Sequence, residues 1–208
     1  MKKIFTNSDQ LPRLTPMGFM KTKVPPKIWN IIWDSYNVLK QLPPKEEIFD
    51  DSDPKYKDNS YAEMFDFRQL ESISHYIIEE LQDIHEWWCK ESLIPSMMWG
   101  IRSYKTNSKM DNHKDWLNTH HVSSIITIDK DLNGANDWPL YFQSHDGNWH
   151  KVYTEPGDMI LYESATCMHG RPEPFQGNYF RNYFIHYRLK DWQFLPVDEN
   201  QTSRLPVT

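Results

Sequence analysis

Apolar residues recur at helical spacing in two stretches of the first half of the chain. The residues that carry these patterns are Ile28, Ile31, Ile32, Tyr36 and Leu39 in the first stretch and Leu70, Ile73, Ile77, Leu81, Ile84 and Trp88 in the second. Spacing of three and four residues places each set on one side of a helix, so we predict amphipathic helices over 26–41 and 67–91. Pro26 suits the first position of a helix, because its missing N–H would be unpaired there, and Pro43-Pro44 ends the first helix.

After Pro95 the pattern changes from helical to strand-like. Short segments rich in β-branched and aromatic residues follow one another, over 97–104, 122–128, 138–142, 149–153, 159–162 and 179–187. Asn133-Gly134 and Asp146-Gly147 are turn signals between these segments. Helices followed by many short strands predict an α+β fold, with two helices packed against a β-sandwich or jelly roll.

The length of the chain favours a single domain. A chain of 208 residues can bury one core of its own. We therefore expect one domain over 1–208, with an irregular N-terminus and helices over 1–95, a β-core over 96–190 and a tail over 191–208. Residues 45–60 are charged and poor in apolar side chains, which predicts an exposed loop.

Composition and charge narrow the classes of partner. The net charge of −6 argues against nucleic acid, because phosphate binding needs a basic surface. Cys89 and Cys167 cannot build a disulfide framework, so we expect two free thiols in a reducing compartment. No apolar run reaches transmembrane length. We expect a soluble, cytoplasmic protein without a membrane partner, and the oligomeric state stays open.

His113 and Asp115 form a His-x-Asp pair, and His169 follows after several predicted strands. On a strand, residues i and i+2 point to the same face, so both members of the pair can reach one ion. The intervening chain is long enough to bring His169 to the same ion from across a barrel. Two imidazoles and one carboxylate with open positions favour Fe(II) oxygenase chemistry, whereas structural zinc normally has four protein ligands.

The His-x-Asp pair alone is a weak signal, because a chain with nine histidines produces one easily by chance. The segment 157–162 strengthens it, since a turn that enters a strand would deliver His169 a few residues later. The same segment is also compatible with an ordinary hairpin strand.

These positions resemble the prolyl 4-hydroxylase-like branch of the 2-oxoglutarate/Fe(II)-dependent dioxygenases over about residues 97–190. The matching positions are Tyr104, Asn107, Met110, His113, Asp115, the segment 155–162, His169 and Gly177. Asn107 stands where the family has Gly, which is a mild departure because Asn tolerates a positive φ better than other non-glycine residues. Met110 stands where the family has an aromatic residue.

The resemblance implies a double-stranded β-helix with supporting N-terminal helices. It also implies a mononuclear Fe(II) held by His113, Asp115 and His169, with 2-oxoglutarate as co-substrate and O2 as oxidant. Family members release succinate and CO2. The carboxylate at position 115 implies hydroxylation of an unactivated C–H bond rather than halogenation. A prolyl or other side chain in a peptide or protein is the first substrate that the resemblance suggests.

One family position is altered. The family usually has a Lys ten residues after the distal histidine, where it pairs with the far carboxylate of 2-oxoglutarate, and here that residue is Tyr179. Arg181 and Arg171 are candidate replacements, since a guanidinium suits a bidentate grip on a carboxylate. We favour Arg181 because it shares a strand face with Tyr179. By family position Tyr104 is the hydroxyl partner of the same carboxylate. Further candidate donors are Thr119, His120 and His186.

Other polar and aromatic residues near the expected site have both a functional and a structural interpretation. Strand alternation directs one of His120 and His121 inward, so at most one of them contacts a ligand. Asn182 and His186 could orient a ligand or could be buried polar groups of the core. The tryptophans that could form a substrate platform, although packed core aromatics are commoner, are Trp116 and Trp138.

Three alternative functions stay open at this point. A free amino acid or another small metabolite could be the substrate in place of a peptide. A non-catalytic barrel could keep the metal only for sensing or scaffolding. A cupin-type enzyme could use the metal without 2-oxoglutarate, and it would then require neither Arg171 nor Arg181.

Overall fold

The computed structural model describes residues 2–46 and 62–195. Helix α1 spans Pro26–Leu39 and helix α2 spans Glu71–Cys89, so both predicted helices are confirmed. Helix α1 begins at Pro26 as predicted. A 3₁₀ turn over Phe67–Leu70 precedes α2, which therefore begins four residues later than predicted. Helix α2 ends at Cys89, and the capping residue Lys90 has a left-handed backbone with a φ of 61°.

Thirteen β-strands occur within the described residues. They are β1 (Lys3–Phe5), β2 (Phe19–Lys23), β3 (Lys45–Glu46), β4 (Ala62–Asp66), β5 (Leu93–Lys105), β6 (Met110–His113), β7 (Val122–Asp131), β8 (Leu140–Gln143), β9 (Trp149–Val152), β10 (Asp158–Tyr162), β11 (His169–Arg171), β12 (Tyr179–Leu189) and β13 (Trp192–Phe194). The six predicted strands correspond to β5, β7, β8, β9, β10 and β12.

The strands form two antiparallel sheets and a short ribbon. The larger sheet has the order β2-β10-β7-β12-β5-β4-β3, and the smaller sheet has the order β6-β11-β8-β9. Between β5 and β12 the chain passes repeatedly from one sheet to the other, which is the topology of a double-stranded β-helix. The predicted fold is confirmed. Strands β1 and β13 pair in parallel as a separate ribbon.

The larger sheet has one face toward the helices and one toward the barrel interior. Tyr183, Ile185 and Tyr187 of β12 belong to the same core cluster as the buried residues of α1 and α2. The hydroxyl of Tyr187 donates to the carbonyl oxygen of Ile78 in α2, at 2.6 Å. Because side chains alternate along a strand, the even-numbered residues of β12 face the barrel interior. Phe180 accordingly packs in a different cluster, inside the barrel.

The N-terminal region is more ordered than the sequence suggested. The sequence predicts an irregular N-terminus, but β2 pairs with β10 at the edge of the larger sheet. Lys45–Glu46, at the start of the expected loop, pairs with β4. Residues 47–60 of that loop lie outside the described residues, as do residues 196–208 of the expected tail.

Two further expectations concern cysteines and membranes. Cys89 and Cys167 are both buried and free, as the sequence predicted. Within residues 2–46 and 62–195, no helix is long and apolar enough to cross a membrane.

Candidate metal centre

Strands β6 and β11 bring the predicted metal ligands together. These strands pair antiparallel with His113 opposite His169, and the two imidazole centroids are 4.5 Å apart. Asp115 follows in the loop after β6, where its backbone N–H donates to the carbonyl oxygen of Ser164 at 2.8 Å. A cross-strand pair and one anchored loop residue therefore meet at one point of the barrel.

The ligand atoms of the three side chains converge. His113 Nε2 lies 3.5 Å from Asp115 Oδ1, and His169 Nε2 lies 3.8 Å from Asp115 Oδ2. One nitrogen or oxygen of each side chain lies within 4.8 Å of those of the other two. Two imidazoles and one carboxylate at such distances can bind one face of a single ion and leave its other face open.

The protonation of both imidazoles also fits a metal. His113 Nδ1 lies 2.8 Å from the carbonyl oxygen of Asp111, and His169 Nδ1 lies 3.0 Å from that of Cys167. A carbonyl oxygen only accepts, so each Nδ1 must carry the hydrogen. Each Nε2 then presents a lone pair toward Asp115, which is the tautomer that a metal ligand needs.

The carboxylate of Asp115 is held in its ionised form. Burial by itself would raise its pKa, but the nearby imidazoles of His169 and His113 outweigh burial and hold the pKa well below its usual range. The hydroxyl of Tyr162 donates to Asp115 Oδ2 at 3.4 Å. Burial raises the pKa of Tyr162 well above its ordinary value, so this hydroxyl keeps its proton.

Arg171 lies inside the barrel, two residues after His169. Its guanidinium carbon is 4.4 Å from the ring centroids of both Trp138 and Phe180, and its Nη1 donates to the carbonyl oxygen of Trp138. Burial lowers the pKa of Arg171 to about 10, which leaves it charged at neutral pH. Among the described residues, no acidic side chain forms an ion pair with it. A buried cation without a counter-ion suits an anionic ligand.

Tyr104 completes this part of the barrel. Its ring packs edge-to-face on Trp138 at 5.2 Å, and both residues belong to the cluster that contains Phe180. Tyr104 is also close enough to Arg171 to raise the pKa of the guanidinium against the effect of burial. The Tyr104 hydroxyl and the Arg171 guanidinium therefore lie on the same side of the barrel interior.

Arg181, the favoured candidate from the sequence, points the other way. Its Nε donates to Ser103 Oγ at 3.1 Å, its Nη1 donates to the Tyr36 hydroxyl, and its guanidinium stacks 3.7 Å from the Tyr179 ring. Asp129 Oδ2 lies 3.4 Å from the same Nη1. Arg181 does share a face with Tyr179, but that face is turned toward the helices. Arg181 therefore lies on the helix side of the sheet, whereas Arg171 lies inside the barrel.

The paired histidines divide as strand alternation predicts. The ring of His120 packs on that of His186 at 3.7 Å, and its Nδ1 contacts the hydroxyl of Thr119. His121 lies on the other side, where its ring packs edge-to-face on Phe5 at 5.2 Å. His120 is therefore the inward member of the pair.

The remaining candidates are distributed around this interior. Asn182 accepts from Arg171 and donates to Thr127 Oγ1 at 3.1 Å, so it orients the guanidinium. Trp138 is 4% exposed, and its Nε1 donates to the carbonyl oxygen of Glu173. It is a packed aromatic beside Arg171 and does not form an open platform. Trp116 packs edge-to-face on His120 at 5.5 Å.

The structure shows how Asn107 and Met110, the residues at the two altered family positions, are accommodated. Asn107 has a φ of 71°, so the residue in the glycine position adopts the left-handed conformation that Asn tolerates. Met110 is buried in the cluster of Tyr104 and Trp138. Gly177 has no room for a side chain, because a Cβ there would lie 2.7 Å from the carbonyl oxygen of Asp131.

Sequence reasoning missed several interior residues. Arg102 donates to the Tyr104 hydroxyl at 3.3 Å and lies 5.2 Å from the Phe184 ring. Its spacing of two residues from Tyr104 on β5 was a signal that could have found it. In the sequence Tyr162 is only the last residue of a predicted strand, which gives no signal of a functional role. Ser123 and Ser164 had no sequence signal, since each contributes a single buried hydroxyl.

Comparison with known proteins gives matches of fold. No protein-family model matches the chain, and no curated protein matches its sequence. A Pseudomonas putida prolyl-4-hydroxylase superposes with a TM-score of 0.60 at 12% identity, covering 83% of this chain and 94% of that one. The chain has the fold of these oxygenases.

Two other solved structures carry ligands. HygX from Streptomyces hygroscopicus, with nickel, 2-oxoglutarate and hygromycin B bound, gives a TM-score of 0.59 at 11% identity, covering 89% of this chain and 90% of HygX. A prolyl hydroxylase from Trichoplax adhaerens, in complex with a hypoxia inducible factor peptide fragment, superposes with a TM-score of 0.56 at 9% identity. The match covers 82% of this chain and 83% of that one. The double-stranded β-helix expected from the resemblance is therefore confirmed by independent structures.

Proposed function

We propose that this protein is an Fe(II)- and 2-oxoglutarate-dependent dioxygenase that hydroxylates an unactivated C–H bond and releases succinate and CO2. The convergence of His113, Asp115 and His169 carries the proposal. Both histidines hold their Nδ1 hydrogens on backbone carbonyls, so their Nε2 lone pairs are available to a metal. Such a facial triad with open positions is typical of non-haem Fe(II) oxygenases.

The interior residues divide between the metal and the co-substrate. Fe(II), with O2 and 2-oxoglutarate, would supply the oxidising chemistry at the triad. Arg171 and Tyr104 would bind the far carboxylate of 2-oxoglutarate, because they place a guanidinium and a hydroxyl on one side of the barrel. Asn182 would hold the guanidinium in position through its Oδ1. The aromatic rings of Trp138 and Phe180 exclude water around this cation.

The first candidate substrate is a prolyl or other side chain in a peptide or protein. The likeness to a prolyl hydroxylase solved with a peptide fragment supports it. A free amino acid or another small metabolite is the second candidate, and the likeness to HygX with hygromycin B bound supports that alternative. The free thiols Cys89 and Cys167 favour a reducing, cytoplasmic compartment.

An anaerobic visible absorption spectrum tests the proposal. Fe(II) and 2-oxoglutarate are added in turn to the full chain, with the Arg171→Gln and Arg181→Gln variants in parallel. We expect a weak charge-transfer band only when both additions are present, because 2-oxoglutarate must chelate the iron to produce it. The band should need more 2-oxoglutarate in Arg171→Gln and should be unchanged in Arg181→Gln. Bound Fe(II) without the band would instead indicate a cupin-type or non-catalytic metal site.

A further inference from the structure

A chain of buried hydroxyls lies beside the metal ligands and ends on His186. Ser164 Oγ lies 2.8 Å from the carbonyl oxygen of His120 and 2.6 Å from Ser123 Oγ. Ser123 Oγ in turn lies 2.7 Å from His186 Nδ1. All these distances are within the range of real hydrogen bonds. Ser123, Ser164 and His186 are all buried.

Counting hydrogens assigns a direction to each bond. A carbonyl oxygen only accepts, so Ser164 must give its single hydrogen to His120. The contact between the two serines then requires Ser123 to donate to Ser164. Ser123 has no second hydrogen for its other neighbour, so it must accept from His186 Nδ1. The hydroxyl chain therefore requires the Nδ1–H form of His186.

The neighbouring tyrosine does not change this result. The Tyr162 hydroxyl also lies near Ser123 and could receive the Ser123 hydrogen. Ser164 would then have to donate to Ser123, and His186 Nδ1 would still be the donor. Only a Ser123 hydrogen directed at His186 gives the opposite tautomer. That arrangement leaves the His120 carbonyl oxygen without the Ser164 hydrogen bond, which is costly for a buried polar group.

The opposite nitrogen of the ring is available. His186 Nε2 makes no hydrogen bond to any residue in the described ranges, but it is not sealed off, unlike Nε2 of His85, which is fully buried without a partner. Burial and the nearby charge of His120 lower the pKa of His186 well below its ordinary value, so the ring is neutral. A neutral Nδ1–H imidazole has a lone pair on Nε2 and can only accept there.

We propose that the Ser164–Ser123 pair fixes His186 as a permanent hydrogen-bond acceptor in the barrel, which selects substrates with an N–H or O–H group. The selectivity rests on the proposed function, whereas the tautomer does not. A carboxylate has no hydrogen to donate at neutral pH, so Nε2 cannot serve 2-oxoglutarate and is left for the substrate. His120 packs on the same ring and limits the approach to it.

The tautomer can be measured without turnover. Two-bond ¹H–¹⁵N correlation spectra of the full chain, loaded with Zn(II) and 2-oxoglutarate at neutral pH, distinguish a ring nitrogen that carries hydrogen from one that does not. We expect the hydrogen on Nδ1 of His186. A hydrogen on Nε2, or on both nitrogens, would overturn the proposal. Because Zn(II) supports no oxidation, this result is independent of whether the protein proves to be an oxygenase.

A double variant tests the cause. In Ser164→Ala/Tyr162→Phe, Ser123 loses both of its other acceptors and can turn its hydrogen toward His186 Nδ1, so we expect the tautomer to switch to Nε2–H. The matched control is Ser74→Ala, which removes a buried hydroxyl on the helix side that donates to the carbonyl oxygen of Phe67. An unswitched tautomer in the double variant would show that the hydroxyl chain does not set it.

Small amides test the acceptor role. N-methylacetamide has one N–H, whereas N,N-dimethylacetamide has none and is otherwise similar. We expect only N-methylacetamide to shift the Nε2 resonance of His186 in the Zn(II)–2-oxoglutarate complex. His186→Asn keeps a donor at the Nδ1 position but has no acceptor at the Nε2 position. His186→Gln keeps an acceptor at the Nε2 position. The resonances of the barrel interior should therefore respond to N-methylacetamide in His186→Gln and not in His186→Asn. Equal responses to both amides, or no response to either, would refute the acceptor role.

Discussion

The Nη2 atom of Arg171 lies 3.4 Å from Oδ1 of Asn182. This contact joins β11 of the smaller sheet to β12 of the larger sheet across the barrel interior. Asn182 also donates to Thr127 on β7, so it cannot turn away without losing a second bond. The guanidinium is therefore held in place before any ligand arrives, which reduces the entropy lost on binding.

Replacement of Arg171 should weaken 2-oxoglutarate binding. In Arg171→Gln the charge is lost, and a hydrogen bond to a charged group contributes about 1.5–3 kcal/mol, so we expect a rise in Kd of about ten- to a hundredfold. Isothermal titration calorimetry of the Ni(II)-loaded protein with 2-oxoglutarate measures this Kd. Arg181→Gln is the matched control, because its guanidinium lies on the helix side, and its Kd should be unchanged. The reverse ranking of the two variants would restore Arg181 as the binding residue.

Loss of a triad side chain should abolish metal binding without unfolding the chain. His113→Ala and Asp115→Ala each leave two ligands, too few for the facial arrangement, so we expect no saturable Co(II) absorption and no turnover. His150→Ala is the control, because His150 bonds Ser144 on the smaller sheet and is not part of the triad. Near-ultraviolet circular dichroism should be alike in all three variants. Normal turnover in either triad variant would mean that the metal lies elsewhere.

Tyr36 links helix α1 to the larger sheet. Its hydroxyl donates to Asp129 Oδ2 at 2.8 Å and accepts from Arg181. Tyr36→Phe removes both bonds and leaves two charged groups less well satisfied, so we expect a loss of about 1–3 kcal/mol in the free energy of unfolding. Urea titration measures the change. Tyr153→Phe, at an exposed tyrosine, should change the free energy by less than about 0.5 kcal/mol.

Stability should fall between pH 6.5 and pH 4. Burial lowers the pKa of both His85 and His121 to about 4, whereas an unfolded histidine titrates near 6.5. Between these values the unfolded chain binds a proton that the folded chain does not, so acid favours unfolding. The stability is fully present above pH 6.5 and is lost as the pH falls to about 4. The limiting slope is about 1.4 kcal/mol per pH unit for each histidine.

Variants separate this effect from general acid denaturation. His85→Leu removes one titrating group, so urea titrations from pH 7 to pH 4 should show a shallower loss of stability. Ser72→Ala changes an exposed residue of the same helix that does not titrate in this range, so it should leave the slope unaltered. If His85→Leu keeps the full slope, the buried ring of His85 is not the titrating group.

Glu163 fastens the N-terminal segment to the barrel. This carboxylate is 1% exposed and accepts from the backbone N–H groups of Leu14 and Thr15 and from the Thr15 hydroxyl. In Glu163→Gln the charge-assisted bonds weaken, so amide hydrogen exchange should accelerate over residues 11–18. Glu155→Gln, at an exposed carboxylate, is the control. Unchanged exchange over 11–18 would show that other contacts fasten the segment.

The sequence predicted the elements that are long enough to show a regular spacing of apolar residues. Helices α1 and α2 have one buried stripe each, and such stripes give a clear spacing. Strands β1, β3, β11 and β13 have only two or three residues, which is too few for any period to appear. Strand β2 reads Phe-Met-Lys-Thr-Lys and has no alternation of apolar and polar residues. Such strands form only because a partner from a distant part of the chain pairs with them.

The sequence could not show where the two arginines lie for a related reason. Strand β12 is buried on both faces, so its sequence does not show which face is turned toward the helices. Tyr179 and Arg181 share a face, as expected, but that face is occupied by Tyr36 and Asp129. The expectation that His113 and Asp115 share one strand was wrong, because β6 ends at His113 and Asp115 lies in the following loop, held there by its backbone bond to Ser164.

The parallel pairing of β1 with β13 limits when the N-terminal segment can fold during synthesis. Phe5 pairs with Phe194, so β1 is synthesised long before its partner β13. Strand β2 waits for β10 in the same way. Until those partners emerge from the ribosome, the apolar side chains of the N-terminal segment remain exposed. This protein should therefore acquire its protection against proteolysis late, only after β10 and β13 have been synthesised.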